Sequence, residues 1–163
     1  MREMPARQLN PKIKSVWRIN DGLWILVCFL VCFVPFAIVA ATSDDASWAC
    51  VVMGVVAAVF ALLAVLFLII LPPIRYIRWR YELTDDYLDI AKGIVWRKRY
   101  IIPFIRVQNT DTRQGPVLRL FGLSSVTVST AAGEHEIPGL GNEEAEVLRD
   151  RAAELARIAR EDI

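Results

Sequence analysis

Two stretches without a single charged side chain, GLWILVCFLVCFVPFAIVAAT (Gly22 to Thr42) and WACVVMGVVAAVFALLAVLFLIIL (Trp48 to Leu71), restrict what this chain can fold into more than anything else in it. At about 1.5 Å rise per residue, some twenty helical residues cross a hydrocarbon layer of roughly 30 Å, and both stretches reach that length. They predict two transmembrane helices. A signal peptide would have a shorter apolar core and would begin nearer the N-terminus. Only Ser43 to Ser47 separates the spans, so an antiparallel hairpin is expected, with both ends on one side. These spans also account for the composition: 55% hydrophobic residues in a chain of 163, with mean hydropathy +0.40, exceed what a soluble domain shows.

Basic residues indicate the side. Arg2, Arg7, Lys12, Lys14 and Arg18 precede the first span and Arg75, Arg78 and Arg80 follow the second, whereas the turn carries Asp44 and Asp45 and no basic residue. By the positive-inside bias both termini are expected in the cytoplasm. Trp17, Trp24, Trp48, Tyr76 and Trp79 fall near span ends, where amphipathic rings settle at headgroup depth. Pro35 predicts a kink in the first helix, and Pro72-Pro73 predicts the end of the second. The chain thus divides into a basic arm over 1–20, a hairpin over 21–74 and a polar domain over 75–163. Cys28, Cys32 and Cys50 fall in or beside the spans, with no His, Asp or Glu there to complete a metal site, so they read as small buried hydrophobes.

From Arg80 onward, short segments of strand character alternate with turn signals. Arg80 to Thr84 and Tyr87 to Ala91 flank the acidic turn Asp85-Asp86, and Lys92-Gly93 predicts a tight hairpin into a long strand over Ile94 to Ile102. Ile105 to Thr112 and Val126 to Thr130 read as further strands. Ala131 to Gly133 reads as a three-residue hairpin loop, and the chain returns through Glu134 to Leu140. Asn142 is positioned to cap a closing amphipathic helix, with Leu148, Ala152, Leu155 and Ala159 on its apolar face. Six or so curling antiparallel strands with a helix over one open end predict a small barrel.

These residues resemble a known family. Tyr81-x-Leu83-Thr84, Gly93, Pro103, Arg106-Val107-Gln108, Gln114-Gly115, Arg119-Leu120-Phe121-Gly122-Leu123 and Ile137-x-Gly139-Leu140, together with the preceding hairpin, are similar to the bacterial pleckstrin-homology-like (PH) domain of YdbS-like membrane proteins. The resemblance implies a transmembrane α-hairpin plus a mainly β PH-like barrel with a C-terminal helix, anchored at the inner face of a bacterial cytoplasmic membrane. It implies association with a larger membrane protein bearing copies of the same domain, and no defined activity. Phosphoinositide binding is not implied, because the first hairpin loop of the domain here is Thr84-Asp85-Asp86, which would repel a multiply phosphorylated headgroup.

His135 is the sole histidine, so neither a Ser-His-Asp relay nor a multi-histidine metal centre can be assembled. It is expected exposed between Glu134 and Glu136. Gly139-x-Gly141 lacks the third glycine and the βαβ context of a nucleotide loop. No catalytic, cofactor or metal residues are assigned and no cofactor is expected. Net charge of +1 gives no footprint for nucleic acid. The charge is unevenly spread, however: residues 75–119 hold ten basic and five acidic side chains, and 120–163 hold four basic and nine acidic. Arg75, Arg78, Arg80, Arg97, Lys98 and Arg99 form the candidate lipid-facing basic patch, with topology-setting charges or a charge-protected edge strand as the competing readings. The segment Val117, Leu118, Arg119, Leu120 and Phe121 is apolar around most of its circumference, which predicts burial against the strands, with contact to lipid or a partner, or a ligand pocket, as the alternatives. The small residues Gly54, Ala57, Ala58, Ala61 and Ala64 suit close packing, either with the first span or with another copy. The expectation is a non-enzymatic module for interaction or assembly, with itself or a related PH-domain membrane protein; the alternative is a sensor of anionic membrane lipids.

Overall fold

The computed structural model describes residues 5–43, 46–94 and 96–161. Arg2, the turn aspartates Asp44 and Asp45, and Val95 of the expected long strand lie outside them. The chain forms two compact units, one of residues 17–73 and one that joins the described residues up to Val16 to those from Ile74 onward.

In the first unit, helix α1 spans Ile13–Thr42 and runs unbroken through Pro35. Helix α2 spans Ser47–Ala64, continues through a π-helical segment Val65–Ile70, and gives way to α3, Leu71–Arg78. Pro72 and Pro73 therefore do not end the helix as expected. A proline leaves the carbonyl four residues earlier without its amide partner. For Pro72 that carbonyl is Leu68, and the Arg18 Nε donates to it at 2.9 Å. The π-helical register just ahead places both prolines in the first turn of α3, where amide donors are not needed. Phe29 packs edge-on against Phe60, with centroids 5.5 Å apart, and Phe36 against Trp48 at 6.3 Å. Apolar side chains such as Leu23, Val31, Val55 and Leu62 point outward. The three cysteines are free and also face out rather than being buried.

The second unit has seven strands among its described residues. A short strand β1, Arg7–Gln8, pairs antiparallel with β2, Arg80–Leu83. Strands β3, Tyr87–Lys92, and β4, Lys98–Pro103, complete a sheet of order β1-β2-β3-β4. After a 3₁₀ turn at Phe104–Arg106 come β5, Val107–Arg113, and helix α4, Pro116–Leu120. Strands β6, Leu123–Thr130, and β7, Gly133–Gly141, then make a second sheet of order β5-β6-β7. Helix α5, Asn142–Glu161, packs on β5, β6, β7 and the 3₁₀ turn. The sheets are antiparallel, as expected, but do not close into the expected barrel. Pro103 and the 3₁₀ turn interrupt extended backbone where β4 would have to meet β5, and Arg160 at the end of α5 donates to the Val107 carbonyl at 2.5 Å. At the other seam a single backbone bond, Asn10 N–H to the Gly139 carbonyl at 3.0 Å, joins the chain ahead of α1 to β7.

The core draws on both parts of the chain. Leu9, Ile13 and Val16 are buried along with Tyr81, Leu88, Ile90, Phe104, Val107, Val126, Val128, Ile137 and Leu140, and with Ala145, Leu148, Ala152, Leu155 and Ala156 of α5. Trp79 is buried too, a core residue rather than the interfacial ring expected from its place after the span. Gly139 has φ +67°, and a Cβ there would come within 2.6 Å of the Ile13 side chain. Glycine at this position is what admits Ile13. Asn142 does not serve as the expected cap: its Oδ1 accepts from Ser124 Oγ at 2.9 Å and from Gln114 Nε2 at 3.0 Å, tying the start of α5 to the loop before α4.

Several boundaries differ from the sequence expectation. Strand β4 starts at Lys98 rather than Ile94, because Lys92 pairs with Lys98 and residues 93–97 form the connection. Ile105 stands in the 3₁₀ turn and is exposed, whereas Val107 is buried. Thr130 pairs with Gly133, leaving a two-residue loop, Ala131-Ala132.

Candidate functional site

Gly93 shapes the first half of the site. Its φ is +122°, and a Cβ would lie 1.9 Å from the Trp96 carbonyl oxygen, so only glycine allows the chain to fold back here. The fold-back presents Trp96, 81% exposed, next to Arg97 and Lys98, both exposed. Helix α3 and β2 supply the other half through Arg78 and Arg80. Together Arg78, Arg80, Arg97, Lys98 and Arg99 line one cleft of about 520 Å³, with Pro5, Ile77, Ala91 and Lys92 completing its wall. Five of the six basic residues singled out from the sequence thus converge. Arg75 does not line the cleft.

These cations are held differently. Arg99 reaches Asp89 through its Nε, 3.0 Å from either carboxylate oxygen, and through a terminal nitrogen 2.5 Å from Oδ2. Asp89 is only 2% exposed, so this arginine neutralises a buried carboxylate, and that ion pair in turn raises its own pKa above the ordinary guanidinium value. Arg78 donates to the Ile94 carbonyl. The Nε of Arg80 is buried and has no hydrogen-bond partner among the described residues. Lys92 places its ammonium 5.3 Å from the Tyr100 ring centre and 5.9 Å from that of Trp79, a cation-π clamp that orients it. The sequence pointed to the basic runs but not to Lys92. Its signal was the pairing of β3 with β4, which sets Lys92 opposite Lys98.

The segment Val117 to Phe121 falls elsewhere. Pro116 takes the first helical position and Gly122, φ +65°, ends the turn. Burial is not as expected. Helix α4 has no buried residue; Leu120 is 80% exposed, Arg119 is exposed, and Val117, Leu118 and Phe121 are half-buried. A five-residue helix that packs chiefly on β6 leaves much of its circumference uncovered. His135 is likewise not the exposed residue expected. It lies against Tyr100 with ring centroids 4.8 Å apart, and burial and the nearby Lys92 charge lower its pKa. Among the described residues no group of three His, Cys, Asp or Glu side chains is placed to hold a metal ion.

Two outward-facing apolar helices long enough to cross a membrane, two antiparallel sheets in which all the described strands but β1 follow those helices, and an amphipathic closing helix define a membrane-anchored PH-like protein. The family model described as bacterial PH domain matches residues 23–156, and the chain belongs to that family. It is 39% identical, over 163 residues and the full length of both chains, to the UPF0699 transmembrane protein YdbS of Bacillus subtilis (strain 168). No solved structure matches. The chain is a bacterial membrane protein, YdbS-like, and no enzyme family is indicated for it.

Proposed function

We propose that this protein is a non-enzymatic module of the cytoplasmic membrane, with both termini in the cytoplasm, whose basic cleft engages the anionic headgroups of membrane lipids. The observation that carries this reading is the convergence of Arg78, Arg80, Arg97, Lys98 and Arg99 with Lys92 in one cleft, directly after the second apolar helix in sequence. The buried, unpartnered Nε of Arg80 is a donor that a phosphate oxygen would satisfy. Exposed Trp96 beside Arg97 and Lys98 has the amphipathic character of a headgroup-depth anchor. Pairing of Arg7 and Gln8 with Tyr81 and Arg80 supports the same-side arrangement of the two hairpin ends, since a strand pair cannot form across a bilayer.

Native mass spectrometry of the full-length protein tests this. Delipidated protein titrated with phosphatidylglycerol and phosphatidylcholine is expected to retain the anionic lipid preferentially. At about 1 kcal/mol per basic side chain near an anionic surface, Arg97→Ala with Lys98→Ala reduces that preference roughly thirtyfold. Equal retention of both lipids by the native protein removes the reading.

A second reading, assembly with itself or a related PH-domain membrane protein, is favoured by one observation. Gly54, Ala57, Ala58 and Ala61 of α2 are exposed, and a Cβ on Gly54 would meet nothing within 4 Å, so this small-residue face is not used against α1.

A further inference from the structure

The seam where the sheets fail to close is itself a cleft, of about 780 Å³, a size typical of ligand sites. Its lining includes every residue of the run Arg99 to Pro103. Side chains alternate across a strand, so a face contributes every second residue; an unbroken run means that the cleft follows the strand's edge. β4 is the terminal strand of its sheet. The ladder phase shows which backbone groups point into the seam. Phe104 N–H donates to the Asp86 carbonyl at 3.1 Å, and Tyr87 pairs with Pro103 in the register that follows. Hydrogen-bonded and non-hydrogen-bonded pairs alternate along an antiparallel ladder, so Ile102 and Tyr100 are bonded to β3 while the N–H and C=O of Ile101 turn outward. The facing edge of β5 is already engaged at its start by the Arg160 contact to Val107.

Charge and apolar surface narrow the occupant. Arg99, Arg106, Arg160 and His135 line the cleft, and among the described residues no Asp or Glu does. Ile101 and Ile105, 43% and 49% exposed, supply apolar surface beside them. We infer that this seam receives an extended acidic segment of a partner protein, which adds to the edge of β4 as a further antiparallel strand. Main-chain bonds at Ile101 hold it, the side chains of Ile101 and Ile105 take its apolar residues, and Arg106 and Arg160 face its carboxylates. Arg99 lines both clefts, but no other residue of this site lines the basic cleft, and the inference does not rest on the headgroup reading.

The experiment uses full-length protein in phosphatidylcholine nanodiscs and a fluorescein-labelled decapeptide of alternating Glu and Val. Fluorescence anisotropy is expected to show saturable binding of this peptide, and amide exchange at Ile101 slows on binding while Tyr100 and Ile102, already bonded to β3, are unchanged. The same peptide methylated on alternate backbone nitrogens is expected to bind at least tenfold more weakly, and Arg106→Gln, at an exposed side chain, lowers affinity of the parent peptide about fivefold. Absence of binding at millimolar peptide overturns the inference. So does equal binding of the methylated peptide, or loss of the bound peptide on adding phosphatidylglycerol, which would assign the cleft to lipid.

Discussion

The two units use the same apolar residues in opposite directions. In the hairpin, Leu23, Val31, Val55 and Leu62 are between 58% and 70% exposed, and few side chains are buried. In the polar unit, Leu88, Ile90, Val126 and Ile137 are at most 1% exposed. An outward apolar surface is stable only where the surroundings are themselves apolar, so the hairpin's solvent is lipid and the other unit's is water. The apolar excess in the composition therefore lies in where side chains point, not in a larger core.

The sharpest way to break this comparison is to truncate one large apolar side chain in each unit. Phe104→Ala, at a fully buried ring, is expected to lower unfolding stability in detergent by about 3–5 kcal/mol, whereas Leu62→Ala on the outer face of α2 stays within about 0.5 kcal/mol. Chemical denaturation followed by intrinsic fluorescence checks both, and similar losses would show that the hairpin face is packed. Ile13→Ala tests whether the chain ahead of the hairpin belongs to the water-soluble core. A loss of about 2–3 kcal/mol is expected, because Ile13 is 1% exposed and fills the space that Gly139 leaves. In the hairpin the corresponding polar anchor is Arg18. Arg18→Ala uncovers the Leu68 carbonyl and costs about 1 kcal/mol, and Pro72→Ala, which restores an amide four residues on, is expected to recover part of it. The smallest effect comes from acid. Burial lowers the folded-state pKa of His135 below its ordinary value of 6.5, so the unfolded chain takes up the proton first as pH falls. This contribution to stability is intact above pH 6.5, declines below it, and levels off once the folded pKa is passed. His135→Gln flattens that part of a melting-temperature profile.

How far these features were legible in the sequence follows the same division. Charge-free length alone marked both helices, since lipid exposure imposes one requirement on every residue. Alternating residues marked β2, β3 and the end of β6, and Gly93, Gly122 and Gly133 marked turns that need positive φ. The continuation through Pro72 was not legible, because it depends on a register change in the preceding turn and on Arg18, fifty residues earlier. Nor was β1, two residues with no alternation, whose existence depends on a partner beyond both helices. In the basic patch the local runs were visible, while the ion pair of Arg99 with Asp89 and the contribution of Lys92 come from the β3–β4 register. The half-exposure of α4 was hidden for a similar reason. An apolar circumference says that a segment prefers not to face water; it does not say what covers it.

The bond between Arg7–Gln8 and Arg80–Tyr81 carries a consequence for biogenesis. Arg7 and Gln8 have to wait, unpaired, until more than seventy further residues, both apolar segments among them, have left the ribosome. In the proposed arrangement, with both hairpin ends on one side of the membrane, completion of this sheet reports insertion of both segments: a chain with one segment stranded keeps β1 and β2 on opposite faces and is left with an incomplete sheet.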